Sequence, residues 1–406
     1  MQRVLVTGIG VASPLGCTIE TFWTRLTQGH SGVIALEGEE FAGLRTRIGA
    51  RVTDFREEDY FERKEARRMS RTSQLALIAA HHAVQQANLS DIDRSQVAVL
   101  IGSSIGGYSA SDHFFRDYYA SGRESPFVIP ICMNSAPSSH ISIRYGFQGP
   151  LMAVDAACAS AAHAIGYAAN LIRAGVVDIA ITGGADSPFT TGVMAAWGAM
   201  RVLSERNDNP AEACRPFSAD RDGLVLGEGA GVLVLESERS VQQRKQPVLA
   251  EIIGYGATSD SYHITQPTQE GPARAMQQAL NDAKLIPEQI DYINAHGTGT
   301  PWNDRTETAA IKTVLGTHAY QIPVVSNKAA LGHSIAASGA LELIGCILTL
   351  RDQTIPPTIN YHVPDPECDL DYVTTGCRQK TVCYVMSNSF AFGGSNGAVI
   401  IGPYVA

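Results

Sequence analysis

The chain has 406 residues, 45% of them hydrophobic and 17% charged, a balance typical of a globular protein with a large apolar core. A formal net charge of −9 disfavours nucleic-acid binding, so an acidic partner would need to meet a local basic patch. The eight cysteines show no CxxC spacing, so we expect neither a disulfide framework nor a metal site. Charged residues interrupt the longest apolar stretches, 151–175 and 329–350, and a strand-like run begins at residue 3. These features predict a cytoplasmic protein without a membrane span or a targeting peptide.

Short apolar runs alternate with helical stretches along the chain. We expect strands at 3–7, 97–101, 177–182, 231–235, 290–293 and 398–401, and helices at 71–87 and 271–283. This alternation favours an α/β architecture with buried sheets.

A strand–turn–helix pattern occurs twice. Residues 154–158 lead into a helix rich in Ala, Ser and Gly that extends to about Arg173. Residues 324–333 lead into a second such helix over about 335–350. The repeat suggests two duplicated halves, although two unrelated buried helices would give the same pattern.

Cys158 lies where the strand-like run 152–154 turns into the first of these helices. A helix N-terminus stabilises a thiolate through its dipole and its unpaired N–H groups. We therefore expect an exposed, nucleophilic thiol with a lowered pKa. For a lone cysteine the alternative is a buried structural residue, which is how we interpret the other seven.

Three further features accompany Cys158. His296 directly follows a predicted strand and precedes a loop rich in Gly and Thr. His333 lies near the start of the second small-residue helix. The loop 389–396 contains glycines that could turn backbone N–H groups toward a developing oxyanion, although a tight turn is the simpler explanation for the loop alone.

Together these residues resemble the β-ketoacyl-carrier-protein synthases of the thiolase superfamily, of the synthase II type. The resemblance extends from 6–10 to 388–390, and the stretch 299–308 is similar to ketosynthases of type II polyketide clusters. It implies an α/β thiolase fold with duplicated halves in a layered αβαβα arrangement. The first half would span 1–250 and carry Cys158, and the second would span 251–406 and carry both histidines.

The resemblance also implies the reaction, a decarboxylative Claisen condensation. An acyl group held on Cys158 is joined to a malonyl unit on acyl carrier protein, giving a β-ketoacyl-carrier protein. The product would belong to fatty-acid or type II polyketide chain elongation, polyenes included. His296 and His333 would donate hydrogen bonds to the enolate oxygen. The backbone N–H groups of Cys158 and Phe392 would form the oxyanion hole, and Phe392 would act as a gate.

Other positions take their roles from the same resemblance. Lys328 and Glu342 would form a buried pair beside the histidines, supported by Asp304 and Glu307. The expected substrate-binding residues are Thr298 and Thr300 for the phosphopantetheine arm, with Ile105 and Phe390 at the acyl pocket. The expected carrier-docking residues are Lys64, Arg67, Arg68, Arg71 and Arg201, of which the first four fall at helical spacing.

No cofactor is expected, because the substrates would be carried on the phosphopantetheine of acyl carrier protein. The expected assembly is a homodimer, or a heterodimer with a chain-length-factor relative, without nucleic-acid or membrane partners. One departure from the family concerns the gate, since Ala391 stands where glycine is usual and its Cβ restricts the backbone.

Three alternatives remain to be weighed. A thiolase would carry a second cysteine in the loop that contains Phe392, but this loop has none. Initiating synthases and plant-type polyketide synthases usually pair cysteine with histidine and asparagine, whereas this chain has His333, so both alternatives are disfavoured. A chain-length-factor-like subunit without catalysis is the alternative from a different functional class. Such subunits generally lack the nucleophile that Cys158 supplies here.

Overall fold

The computed structural model describes residues 2–123 and 125–405. Its strands are β1 (Val4–Ala12), β2 (Val33–Ala35), β3 (Ile48–Ala50), β4 (Val97–Gly102), β5 (Leu151–Val154), β6 (Ile179–Asp186), β7 (Gly229–Ser237), β8 (Ala250–Ser259), β9 (Tyr292–Asn294), β10 (Val324–Val325), β11 (Thr354–Ile355), β12 (Arg378–Gln379), β13 (Val385–Phe390) and β14 (Ser395–Gly402). Its α-helices are α1 (Ile19–Thr27), α2 (Glu39–Ala42), α3 (Arg63–Ala66), α4 (Arg71–Ala87), α5 (Tyr108–Ser121), α6 (Val128–Cys132), α7 (Ala136–Tyr145), α8 (Ser160–Arg173), α9 (Thr191–Ala199), α10 (Glu238–Arg244), α11 (Glu270–Ala283), α12 (Pro301–Leu315), α13 (Lys328–Leu331) and α14 (Ser338–Asp352).

Ten of these strands form one sheet in the order β10-β9-β13-β14-β8-β1-β7-β6-β4-β5. The five strands before residue 240 occupy one side and the five after residue 249 occupy the other, and β1 and β8 join the two sides. From each outer edge inward, three parallel strands are followed by two antiparallel ones. The two sides therefore repeat one topology, and the predicted duplicated α/β fold is confirmed.

The helices complete the layers. The central helices α8 and α14 share one apolar core with strands from both five-stranded halves of the sheet. Helices α4 and α7 pack on the opposite face of the sheet strands that precede residue 240. Helices α11 and α12 pack on the opposite face of the sheet strands that follow residue 249. This is the expected αβαβα order. The division into 1–250 and 251–406 stays a prediction, and its outer limits, residues 1 and 406, lie outside the described residues.

Glycines in the strands let the two central helices come close to the sheet. A Cβ on Gly102 of β4 would lie 2.6 Å from the carbonyl carbon of Ser160, at the start of α8. A Cβ on Gly184 of β6 would lie 2.2 Å from the carbonyl oxygen of Ala336, just before α14. The glycines thus bring the first turns of both helices to the same region of the sheet.

The predicted elements are all present, with shifted ends. Helix α4 has the predicted bounds 71–87, and α11 begins one residue earlier than predicted. The second small-residue helix begins at Ser338 instead of 335, because Ile335 has a φ of +48° and lies in a separate 3₁₀ turn, Ile335–Ala337. Among the residues described, no helix is both long enough and apolar enough to cross a membrane.

Candidate active site

Cys158, His296 and His333 line one cavity of about 260 Å³ together with Phe390 and Phe392. Four of these residues lie in connections between distant elements, β5 to α8, β9 to α12, α13 to α14 and β13 to β14, and Phe390 is the last residue of β13. The structure therefore brings together the cysteine, the two histidines and the glycine-rich loop that the sequence singled out.

Cys158 lies in a strained turn before α8. The preceding residue, Ala157, has a φ of +46°, an unusual conformation for a residue with a side chain. The hydroxyl of Ser160 holds this turn, because it accepts from the N–H of Ala156 at 2.9 Å and donates to the carbonyl of Ala157 at 2.6 Å. The turn, rather than the α-helix itself, aims Cys158 into the cavity.

The expectation of an exposed thiol with a lowered pKa was wrong. Cys158 is only 5% exposed, and burial raises its pKa to about 12. The Lys328 charge and the backbone N–H groups of Cys158 and Phe392 act in the opposite direction and favour the thiolate. These two N–H groups are the pair predicted to form the oxyanion hole.

The ring of His333 is held in one tautomer. Its Nδ1 accepts the backbone N–H of Ile335 at 3.0 Å, and the hydroxyl of Ser338 lies 3.2 Å from the same nitrogen. A nitrogen that accepts an N–H carries no proton, so the neutral ring is protonated at Nε2. Burial and the nearby Lys328 charge lower the pKa of His333 well below its ordinary value and keep the ring neutral.

His296 contacts His333 ring edge to ring face. The ring centroids are 5.4 Å apart at 85°, and Phe390 packs against His296 at 5.9 Å. Burial, with the Lys328 charge, lowers the pKa of His296 well below its ordinary value. Two neutral imidazoles therefore border the cavity, and Nδ1 of His296 is buried there without a hydrogen-bond partner among the described residues.

Lys328 and Glu342 form a fully buried pair next to the histidines. Nζ of Lys328 lies 2.5 Å from a carboxylate oxygen of Glu342 and donates to the carbonyl of His296 at 2.6 Å. Asn294 adds a hydrogen bond to Glu342 at 3.3 Å. Burial raises the pKa of Glu342, and Lys328 counteracts that rise. The pair thus fixes the backbone that carries His296.

Two acidic residues of α12 hold the loop around His296. The carboxylate of Glu307 accepts the N–H groups of His296 at 2.8 Å and Gly297 at 2.7 Å. Asp304 accepts the N–H groups of Thr298 at 3.1 Å and Gly299 at 3.2 Å. Both carboxyl groups are buried, and burial raises the pKa of Glu307 to about 7. Their supporting role stays a prediction.

The predicted substrate-binding residues divide between two places. Thr298 and Thr300 line the cavity, and their hydroxyl oxygens lie 2.8 Å apart. Phe390 also lines the cavity, whereas Ile105 lies in an adjoining apolar cluster. Phe392 stacks on Trp197, with ring centroids 5.9 Å apart at 25°.

Several residues that line the cavity were not predicted from the sequence. Trp197, Met200 and Val202 form one wall, and Asp260 with the segment 263–267 forms another. The N–H of Asp260 donates to the carbonyl of Gly394, which ties this segment to the loop after Phe392. The polar run 258–261 was the available signal for Asp260, whereas nothing in the sequence distinguished Trp197.

The predicted docking face does not form a single helix. Helix α3 ends at Ala66 and α4 begins at Arg71, so the basic residues between them lie in a turn. The side chain of Arg71 pairs with the buried Glu228 at 2.9 Å and stays 31% exposed, so its docking role remains a prediction. Arg67 is exposed, and Arg68 lies 4.6 Å from the Phe127 ring.

Two other predicted docking residues lie at the surface. Lys64 on α3 and Arg201 near the cavity wall are both exposed. In the part of the chain that the structure covers, no three His, Cys, Asp or Glu side chains are placed to hold a metal ion.

Comparison with known proteins places these features in a family. The model of the beta-ketoacyl synthase N-terminal domain matches residues 1–240, and the model of the C-terminal domain matches 249–362. A 3-oxoacyl-[acyl-carrier-protein] synthase 2 from Synechocystis sp. is 40% identical over 409 residues, covering 99% of this chain and 98% of the relative.

Solved structures are similar along the whole chain. A chain of the ishigamide ketosynthase/chain length factor is 35% identical, with a TM-score of 0.94 and 100% of both chains covered. A ketosynthase in complex with its type II PKS acyl-carrier protein, bound to the hexaketide, is 32% identical, with a TM-score of 0.92 and coverage of 99% and 100%. The resemblance to synthase II enzymes and to type II polyketide ketosynthases is confirmed, and the chain belongs to the β-ketoacyl synthase family.

Proposed function

We propose that this protein catalyses the decarboxylative condensation of an acyl group on Cys158 with malonyl-acyl carrier protein. The observation that carries this proposal is the meeting of Cys158, two neutral imidazoles and the N–H groups of Cys158 and Phe392 in one buried cavity. The product is a β-ketoacyl-carrier protein of fatty-acid or type II polyketide elongation.

In the first stage, Sγ of Cys158 attacks the carbonyl carbon of an acyl thioester. The new C–S bond forms as the carrier thiol leaves, and the thiol proton of Cys158 passes to that leaving sulfur. Because the N–H groups of Cys158 and Phe392 already favour negative charge on Sγ, they are suited to stabilise the oxyanion on the attacked carbonyl.

In the second stage, the malonyl group loses its carboxylate as carbon dioxide. The electron pair left behind forms an enolate, which attacks the acyl carbonyl and releases Cys158 as a thiolate. His333 is suited to donate to the enolate oxygen, since its Nδ1 is occupied and its Nε2 carries the proton. His296 supplies the second ring, which Lys328 and Glu307 hold through its backbone.

A chain-length-factor-like subunit without catalysis is the weaker candidate. It would need neither a strained turn at Cys158 nor the buried Lys328–Glu342 pair beside His296. Iodoacetamide distinguishes the two functions, because a non-catalytic subunit would show no preference for Cys158 over the other thiols.

Acyl carrier protein is the proposed partner that delivers both substrates. Exposed Lys64, Arg67 and Arg201 supply positive charge on a chain of net charge −9, and Arg68 adds to it beside Phe127. Charge complementarity of this kind accelerates encounter and is screened by salt.

A second subunit is proposed at the edge of the sheet. Strand β5 is the outermost strand at one edge of the sheet, and its Leu151 and Met152 are 39% and 41% exposed. Helix α5 has no buried residue and exposes the rings of Phe115, Tyr118 and Tyr119. An apolar edge strand and a helix with exposed aromatic rings each favour pairing with another chain, either a second copy or a chain-length-factor relative.

We further propose that the reaction needs no cofactor beyond the phosphopantetheine of the carrier protein and takes place in the cytoplasm. Dialysis against EDTA is expected to leave turnover unchanged, and loss of turnover that metal restores would overturn the first point.

The test of the function is mass spectrometry of carrier-bound products. Purified protein, alone and with a candidate chain-length-factor partner, is mixed with malonyl-acyl carrier protein and a panel of acyl primers. We expect β-ketoacyl products from the wild type and from the control variant Cys383→Ala, whose thiol is exposed outside the cavity. Absence of condensation product with every primer and partner would refute the proposal.

A further inference from the structure

One buried carboxyl group has no role in the reaction above. Asp186 is the last residue of β6, and its side chain is fully buried. Burial of a carboxyl group without hydrogen bonds is costly, so its partners indicate what holds it there.

Three backbone N–H groups converge on Asp186. Those of Ser104 and Ile105, in the loop after β4, lie 3.3 and 3.2 Å from its carboxylate oxygens. The N–H of Ala336, in the turn before α14, lies 3.1 Å away. A single carboxyl group therefore joins the loop that contains a predicted acyl-pocket residue to a turn from the second half of the chain.

That turn is the one that orients His333. The N–H of Ile335, the neighbour of Ala336, donates to Nδ1 of His333 and fixes its tautomer. The side chain of Ile335 packs in one apolar cluster with Ile105 and Trp197. Displacement of the Ile105 loop would thus reach the histidine both through packing and through the hydrogen bonds of Asp186.

We propose that Asp186 is a positioning residue for the condensation. It holds the Ser104–Ile105 loop and the 335–337 turn together, so that His333 keeps its orientation while an acyl chain packs against the apolar cluster that contains Ile105. This inference rests on the proposed function, because it needs an acyl group on Cys158.

The charge of Asp186 adds a second, independent consequence. The carboxyl group of Asp186 raises the pKa of the Cys158 thiol, whereas Lys328 lowers it. His296 and His333, which border the same cavity, are held neutral. Asp186 itself is close to Asp155, and burial raises its pKa to about 7. Removing the charge should therefore make Cys158 react at lower pH.

The test compares Asp186→Asn with Glu236→Gln. Glu236 is also fully buried at the end region of a strand, but it bonds Thr7 and Ser240 away from the cavity. For Asp186→Asn we expect kcat of condensation to fall about tenfold or more while KM for malonyl-acyl carrier protein changes less than about twofold. We also expect the pH midpoint of iodoacetamide alkylation at Cys158 to fall by about one unit. Glu236→Gln should change neither quantity.

Unchanged kcat and an unchanged alkylation profile in Asp186→Asn would overturn the proposal, as would equal effects in Glu236→Gln. Alkylation needs no substrate, so this part of the test is independent of the proposed function, which fails only if the wild type forms no product. If Asp186→Asn does not fold, amide hydrogen exchange of the wild-type protein tests whether the loop and the turn are coupled. Segments 103–107 and 333–338 should change protection together when Cys158 is acylated, and independent changes would contradict the coupling.

Discussion

The buried Lys328–Glu342 pair allows stability and catalysis to be separated. In Lys328→Met the carboxyl group of Glu342 stays fully buried, and the amide of Asn294 at 3.3 Å is the one partner left to it within 2–123 and 125–405. Removing one member of a buried ion pair costs about 3–5 kcal/mol of stability, because the remaining charge is uncompensated. We expect a loss of this size in the free energy of unfolding, measured by urea denaturation at pH 7.

The double variant Lys328→Met/Glu342→Leu tests the origin of that loss. An apolar pair of similar volume often restores stability, so we expect the double variant to unfold within about 1–2 kcal/mol of the wild type. Condensation should stay at least about 100-fold below the wild type in both variants, because the hydrogen bond from Lys328 to the carbonyl of His296 is lost in both.

Two results would refute this reasoning. If Lys328→Met loses less than about 1 kcal/mol in the free energy of unfolding, the buried charge of Glu342 does not depend on Lys328 for compensation. A double variant with wild-type rates of condensation would mean that Lys328 does not position His296.

Three further outcomes follow from the structure. His296→Ala should lose malonyl decarboxylation while Cys158 is still acylated, and undiminished release of carbon dioxide would exclude the enolate-stabilising role. Reversal of Arg67 and Arg68 to Glu should slow reaction with the carrier protein at low salt and leave small thioester substrates nearly unaffected, whereas equal losses with both would exclude docking. Burial lowers the pKa of His163 to about 4. Between pH 6.5 and 4, His163 is therefore protonated in the unfolded chain and neutral in the folded chain. Stability should therefore fall by about 3 kcal/mol from this residue between pH 6.5 and 4, and an equally steep fall in His163→Asn would contradict the assignment.

The chemistry of the site could be predicted because its residues lie in short, distinctive stretches. Cys158 follows a strand and precedes a small-residue helix, and His296 lies two residues after the end of a strand. The repeat of that strand–turn–helix pattern suggested duplicated halves, and the family resemblance implied the duplicated fold. In these places local sequence and overall topology agree.

The environment of the site could not be predicted in the same way, because it depends on packing between distant segments. The high pKa of Cys158 is caused by its burial among elements from both halves of the chain. Arg71 has helical spacing with Lys64 and Arg67, yet it pairs with Glu228, 157 residues away. Trp197 stacks on Phe392, although the two residues are far apart in the sequence.

The most direct test of the central claim is the mass of the acyl-enzyme. Wild-type protein incubated with an acyl-carrier protein should gain the mass of one acyl group, and peptide mapping should place that group on Cys158. Addition of malonyl-acyl carrier protein should then remove the acyl group and release one carbon dioxide per β-ketoacyl product. Formation of the acyl adduct or of product by Cys158→Ala would contradict the account.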